Sequence, residues 1–188
     1  MIETYTFSNN GGLPEYNDEV FVGFGSFTVA VIVNGMNNRE MCRRVSLAVN
    51  RVLNNEFENM SFDDMTYLLS KIVKHNDEYA VIRITDEEIE TEQHGGIRGY
   101  LVKNGEIVQI TNGLQKIDNE DRIIFATDRF FKYLNKEAVL ADAVTSISAE
   151  EWMDFMINRI SDVNMLKGDN LSAITFIVRN TENVRVDP

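Results

Sequence analysis

The sequence predicts an α+β protein in which antiparallel sheet carries helices on its faces. Three observations predict it. Strand-like and helix-like segments come in blocks and do not alternate one for one, which disfavours a doubly wound parallel sheet. Several strand-like runs are apolar throughout, which implies burial on both faces. Asn104-Gly105 separates two alternating runs, the strongest short-range hairpin signal. Three of the apolar runs also end in polar residues. Phe27–Val33 ends in Asn34-Gly35, Arg122–Thr127 ends in Asp128, and Leu171–Val178 is entered through Gly168-Asp169-Asn170. Core strands with polar ends gather those residues at one rim of a sheet, where a metal or phosphate site would form.

At 188 residues the chain is expected to be one domain, 1–188, with a polar tail over 182–188. Hydrophobic content of 44% and charged content of 26% are those of a globular protein with a substantial core. The formal net charge of −12 argues against non-specific binding to nucleic acid or to an anionic membrane, both of which need a cationic face. The single Cys42 excludes an internal disulfide, and one Cys with two His excludes a Cys-based zinc site. No apolar run approaches the length of a membrane span, and the N-terminus lacks a signal-peptide pattern, so a cytoplasmic protein is expected.

In chain order, residues 2–7 suit a first strand, followed by a loop over Ser8–Gly12. Asn17-Asp18-Glu19 is an acidic turn entering a second short strand, and Phe27–Val33 is a third. From Arg39 to Asn54, Met41, Val45, Ala48 and Val52 fall on one helical stripe. A second helix starts at Ser61, with Asp64 three residues on as a variant capping box, and Met65, Leu68, Leu69, Ile72 and Val73 form its apolar face. Tyr79–Thr85 reads as strand. A polar, acidic segment runs on through Glu92. Residues 97–102 and 107–111 form the hairpin. Strand 122–127 leads into a short helical piece with Phe130, Phe131, Tyr133 and Leu134. Ser148 with Glu151 forms a capping box for a helix whose buried side carries Trp152, Phe155, Met156 and Ile160. The strand ending at Val178 completes the pattern. His75 and His94 carry no ligand spacing, Gly95-Gly96 is not a phosphate loop, and no Ser or Cys lies in a nucleophile signature.

Taken in order, these motifs resemble those of the metal-dependent PP2C family of serine/threonine protein phosphatases, over nearly the whole chain. The resemblance rests on Asn17-Asp18-Glu19, Asn34-Gly35-Met36-Asn37-Asn38, Gly95-Gly96-Ile97-Arg98-Gly99-Tyr100, Thr111-Asn112-Gly113-Leu114, Thr127-Asp128-Arg129 and Asp169-Asn170-Leu171. It implies a β-sandwich of two mainly antiparallel sheets flanked by helix pairs. It also implies a chemistry in which two divalent cations, Mg²⁺ or Mn²⁺, held by carboxylates at the sandwich rim, activate a bridging water.

Residue by residue, the resemblance carries over only part of that site. Asp128 and Asp169 stand where two metal ligands belong, and Asp18 and Glu19 supply carboxylates in inverted order. Asn34 replaces the bridging Asp, which removes a charge between the ions. Gly96 and Gly113 replace two further acids, Leu114 replaces a His, Arg129 a Gly, and Pro14 a phosphate-binding Arg. The resemblance therefore implies a degenerate member, a pseudophosphatase acting as a protein-interaction or regulatory module. Its partner would be a protein, a kinase or phosphoprotein by analogy. The metal complement implied is one Mg²⁺ or Mn²⁺ ion or none, with Asp128, Asp169, Asn34, Asp18 and Glu19 as ligands if one binds. The alternative is an active Mn²⁺- or Mg²⁺-dependent phosphoprotein phosphatase with a reduced site. Purely structural roles are also open: a side-chain-bonded turn at Asp169-Asn170 and a helix N-cap at Asp128.

Overall fold

A computed structural model describes residues 1–11, 18–35, 40, 43–49, 57–73, 78–162 and 170–179. Cys42, His75, Asp169 and the tail 182–188 lie outside the described residues.

Two five-stranded sheets face each other, and every strand pairing in them is antiparallel. One has the order β1 (Ile2–Asn9), β10 (Leu171–Val178), β9 (Arg122–Ala126), β6 (Arg98–Lys103), β7 (Glu106–Gln109). The other has the order β2 (Asp18–Phe24), β3 (Thr28–Asn34), β4 (Glu78–Ile84), β5 (Glu88–His94), β8 (Gly113–Lys116). Ala30, Ile32, Ile82, Ile89, Leu101, Phe125, Ile174 and Phe176 interdigitate between the sheets. The outer face of the first sheet packs on α3 (Asp128–Phe131), α4 (Lys136–Thr145) and α5 (Ala149–Asp162) through Ile124, Phe130, Val139, Trp152 and Met156. On the outer face of the second sheet, Val29, Val31 and Val33 meet Val45 and Val49 of the helix 43–49, here α1, and Phe62, Met65 and Leu69 of α2 (Phe62–Ile72). The expected sandwich with helices on both outer faces is thus what forms.

The layering explains the composition of the strands. β3 sends alternate residues to the helices and to the opposite sheet, so six of its seven residues are buried and only Asn34 at its end is not. All eight residues of β10 are buried. Its polar residues are bonded: Thr175 Oγ1 donates to the carbonyl of Ala149 at 2.8 Å.

Local signals act as expected at both helix starts and at the hairpin. Asp64 N–H donates to Ser61 Oγ at 3.1 Å, and Glu151 N–H to Ser148 Oγ at 3.0 Å. The Glu151 carboxylate accepts in return from the Ile147 N–H at 2.6 Å. Asn104 and Gly105 have φ of 53° and 77°, the pair of positive values that a two-residue hairpin turn of type I′ requires.

Other segments differ from expectation. The first strand continues to Asn9, paired with β10, where a loop was expected from Ser8. The acidic segment before the hairpin is a strand, β5. Its Ile89 and Thr91 face the core while Glu88, Glu90 and Glu92 line the outer side, so charge on one face hid a period-two pattern. Gly113–Lys116 is an edge strand too short to carry a pattern. α4 has a weak apolar stripe because one buried position is Asp142, which Arg159 of α5 clamps with bonds of 2.7, 2.7 and 3.0 Å.

Gly99 faces Phe125 across β6 and β9, and a methyl group there would lie 2.3 Å from the ring. Gly99→Ala is expected to cost about 1–3 kcal/mol through overpacking, lowering the melting temperature by on the order of 5 °C. Circular dichroism melting measures this, and an unchanged midpoint would show that the ring can move aside.

Candidate functional site

The two sheets place polar strand ends at one mouth of the sandwich. Asp18, Asn34 and Glu78 are register partners across β2, β3 and β4. Antiparallel partners point to the same face, and Val20, Ile32 and Ala80, two residues further in, belong to the inter-sheet core. The three polar side chains therefore share the inner face, at its open end. Opposite them, β9 runs out into Thr127 and Asp128, and β10 begins with Asn170, Leu171 and Ser172.

Asp18 is 1% exposed, and Ser172 Oγ donates to its Oδ2 at 2.9 Å, joining the sheets at the rim. Asn34 Nδ2 donates to Glu78 Oε2 at 2.8 Å. A methyl group built on Gly96 would lie 2.9 and 3.0 Å from the two Glu78 carboxylate oxygens and 3.1 Å from the Asp128 carboxyl carbon. Glu78 and Asp128 thus approach one point from opposite sheets. Thr127 is the cap residue of α3 and Asp128 its first helical residue, so the N-cap role open to Asp128 falls to its neighbour. A carboxylate in that first turn is favourable to the helix end.

Of the residues singled out from sequence, Asp18, Asn34 and Asp128 come to the rim. Glu19 does not. It pairs with Val33, on the helix-covered side of the sheet, and burial raises its pKa above the ordinary carboxylate value. Leu114 pairs with Glu90 on the outer face of β8 and is exposed, away from the mouth. Asp169, Asn17 and Pro14 lie outside the described residues. Among the described residues no three His, Cys, Asp or Glu side chains come together as a metal site. Among the described residues the donor set fits a pair of dications poorly. The Asn34 amide, where the resemblance would place an acid shared by two ions, brings no charge, and its nitrogen is turned to Glu78.

Sequence reasoning missed Glu78. The signal was present: β3 ends in Asn34, and an antiparallel β4 must begin beside it, so an acid at the start of β4 belongs to the same rim. A second polar group lies beside it on the helix side. Tyr79 stacks on His94 at 4.7 Å, and Glu92 accepts from both. Burial, then the Glu92 carboxylate, raises the Tyr79 phenol to about 12.

Glu19 sets a pH dependence. Its folded pKa lies above the unfolded one, so its ionisation opposes folding once pH rises past the ordinary Glu range, and the penalty is absent below it. Glu19→Gln is expected to raise the melting temperature at pH 7, with the gain disappearing as pH falls below about 4.5. Paired melts at pH 7 and pH 4 check this. A gain of equal size at both would assign the effect to something other than charge.

No protein-family model matches the sequence, and no curated protein matches it. Solved structures do match in fold. The Mycobacterium tuberculosis serine/threonine phosphatase PstP superposes with a TM-score of 0.74 at 14% identity, covering 95% of this chain and 99% of that one. Its catalytic domain in complex with two manganese ions gives 0.73 at 13% identity, covering 95% and 99%. The serine/threonine phosphatase Stp1 from Staphylococcus aureus gives 0.77 at 12% identity, covering 96% of each chain. At these identities the likeness establishes the architecture: the chain folds as a PP2C-like sandwich of the kind these serine/threonine phosphatases carry.

Proposed function

We propose that this chain is a pseudophosphatase: a PP2C-like domain with an incomplete metal site that serves as a protein-interaction or regulatory module in the cytoplasm. The observation that carries the reading is the Asn34–Glu78 hydrogen bond of 2.8 Å. At the position where the resemblance calls for an acid shared by two ions, this chain has an amide donor that compensates a neighbouring carboxylate. The rim then needs less positive charge from outside. Gly96, which also stands where an acid is expected, removes a further anion. With these losses, too few anionic oxygens converge among the described residues to hold two dications around a reactive hydroxide.

The partner is a protein, a kinase or phosphoprotein by analogy. The net charge of −12 favours a basic docking face on it. A second reading, an active Mn²⁺- or Mg²⁺-dependent phosphatase with a reduced site, draws on one observation: Glu78 and Asp128 approach the same point. These would be the residues to hold a single ion there, with Asn34 beside Glu78; the resemblance alone adds Asp169. Such an ion would act as a Lewis acid on a phosphoryl oxygen.

Hydrolysis of an aryl phosphate with added Mn²⁺ tests the proposal. The expected result is no turnover above background. Turnover that Asp128→Ala abolishes would overturn it in favour of the reduced-site phosphatase.

Asn34→Asp gives an independent check. It sets a second carboxylate against Glu78, so one of the pair must take up a proton or move. The variant is expected to melt several degrees below wild type at pH 7 (a loss of about 1–3 kcal/mol). The deficit should shrink in the Glu78→Gln background, where no second carboxylate stands against the new one. If Asn34→Asp melts like wild type at pH 7, the amide is not compensating Glu78.

A further inference from the structure

We infer that Asn34, Glu78 and the Gly95-Gly96 pair form one coupled unit, in which Glu78, carried on β4, fills the volume that an acidic side chain at position 96 would take. The unit accounts for a glycine pair that neither a phosphate loop nor a metal ligand explains. It stands apart from whether the rim turns over a phosphate.

The two glycines serve Glu78 differently. Gly95 has φ +73°, and a methyl group on it would lie 2.4 Å from Glu78 Cγ, 2.9 Å from its Cβ and 3.2 Å from its Cα. That position is closed to other residues by backbone conformation and by the stem of Glu78, neither of which can move cheaply. The three atoms nearest a methyl group on Gly96 belong to carboxylates, the oxygens of Glu78 at 2.9 and 3.0 Å and the carboxyl carbon of Asp128 at 3.1 Å. Its exclusion therefore depends on where the Glu78 carboxylate is, and Asn34 holds that carboxylate in place from β3. An acid at position 96 would collide with Glu78 and repel both it and Asp128. An acid at 78 and a bare backbone at 96 are complementary, and either one changed alone leaves a clash or a gap.

Double-mutant cycles by thermal melting test the coupling. Gly96→Asp is expected to lower the melting temperature by on the order of 5 °C in the wild-type background, and by at most half that in the Glu78→Ala background. Gly95→Ala is expected to lower it in both backgrounds, because its positive φ remains, and by less in the Glu78→Ala background, where the Cγ contact at 2.4 Å is gone. The side-chain amide protons of Asn34, followed by NMR, should shift in Glu78→Ala and in Gly96→Asp alike. If Gly96→Asp yields no folded protein from the wild type, Gly96→Ala takes its place in the cycle. Equal losses for the position-96 variant in the two backgrounds, or Asn34 amide resonances that stay put, would overturn the inference.

Discussion

Burial of the central strands on both faces is the constraint from which the rest follows. In a four-layer arrangement of helix, sheet, sheet and helix, a central strand has no solvent side. β3 and β10 meet this with nearly unbroken apolar sequence, and the few polar groups inside are bonded, as Thr175 is to Ala149. β3 and β10 carry no ionisable residue at all, and polar residues gather where such strands end. Antiparallel pairing then sets the ends of neighbouring strands side by side, which is why Asp18, Asn34 and Glu78 meet although they are far apart in the chain. The rim is a product of sandwich packing before it is a product of any chemistry performed there.

Carboxylates gathered at the mouth of a low-dielectric core need compensation. A hydrogen bond to a charged group contributes about 1.5–3 kcal/mol, and leaving the group unserved costs more. This chain supplies hydroxyl and amide donors: Ser172 to Asp18, across the two sheets, and Asn34 to Glu78, across two strands. Both bonds close on groups already fixed by strand register, so little conformational entropy is lost in forming them. Neutral donors stabilise an anion without drawing in a second one, whereas a divalent ion demands several. The composition of the rim thus points toward internal compensation.

The layers were largely legible in the sequence, because each announces itself by periodicity. Continuous apolar runs marked β3, β9 and β10, Asn104-Gly105 marked the hairpin, and Ser61 and Ser148 marked helix starts. What escaped was whatever mixes charge into a regular element. β5 carries three glutamates on its outer side and read only as a polar, acidic segment, and α4 buries Asp142 against Arg159 and showed too weak a stripe. The rim was half legible. Asn34 and Asp128 could be placed because they end apolar runs, and Asp18 because it stands in the acidic Asn17-Asp18-Glu19 motif that enters a strand. Glu78 could not be placed until the register of β3 with β4 was known. Glu19 shows the converse: beside Asp18 in sequence, it sits across the sheet from it, since neighbours on a strand point to opposite faces.

Fold and rim chemistry separate here because they rest on different residues. The sandwich is specified by apolar alternation and by layers that any sequence of suitable volume and pattern can fill. That is why it persists where little sequence identity does. The rim residues contribute almost nothing to that pattern, since they lie at strand ends where the core stops. They are free to change one at a time, provided each change leaves the buried charge compensated. A glycine at 96 with an acid at 78, and an amide at 34 with that acid as its acceptor, satisfy this requirement as a set. Order at the rim needs only matched donors and acceptors, whatever chemistry the rim performs. Catalysis by paired ions would need an excess of negative charge as well, a separate demand that packing and register do not impose.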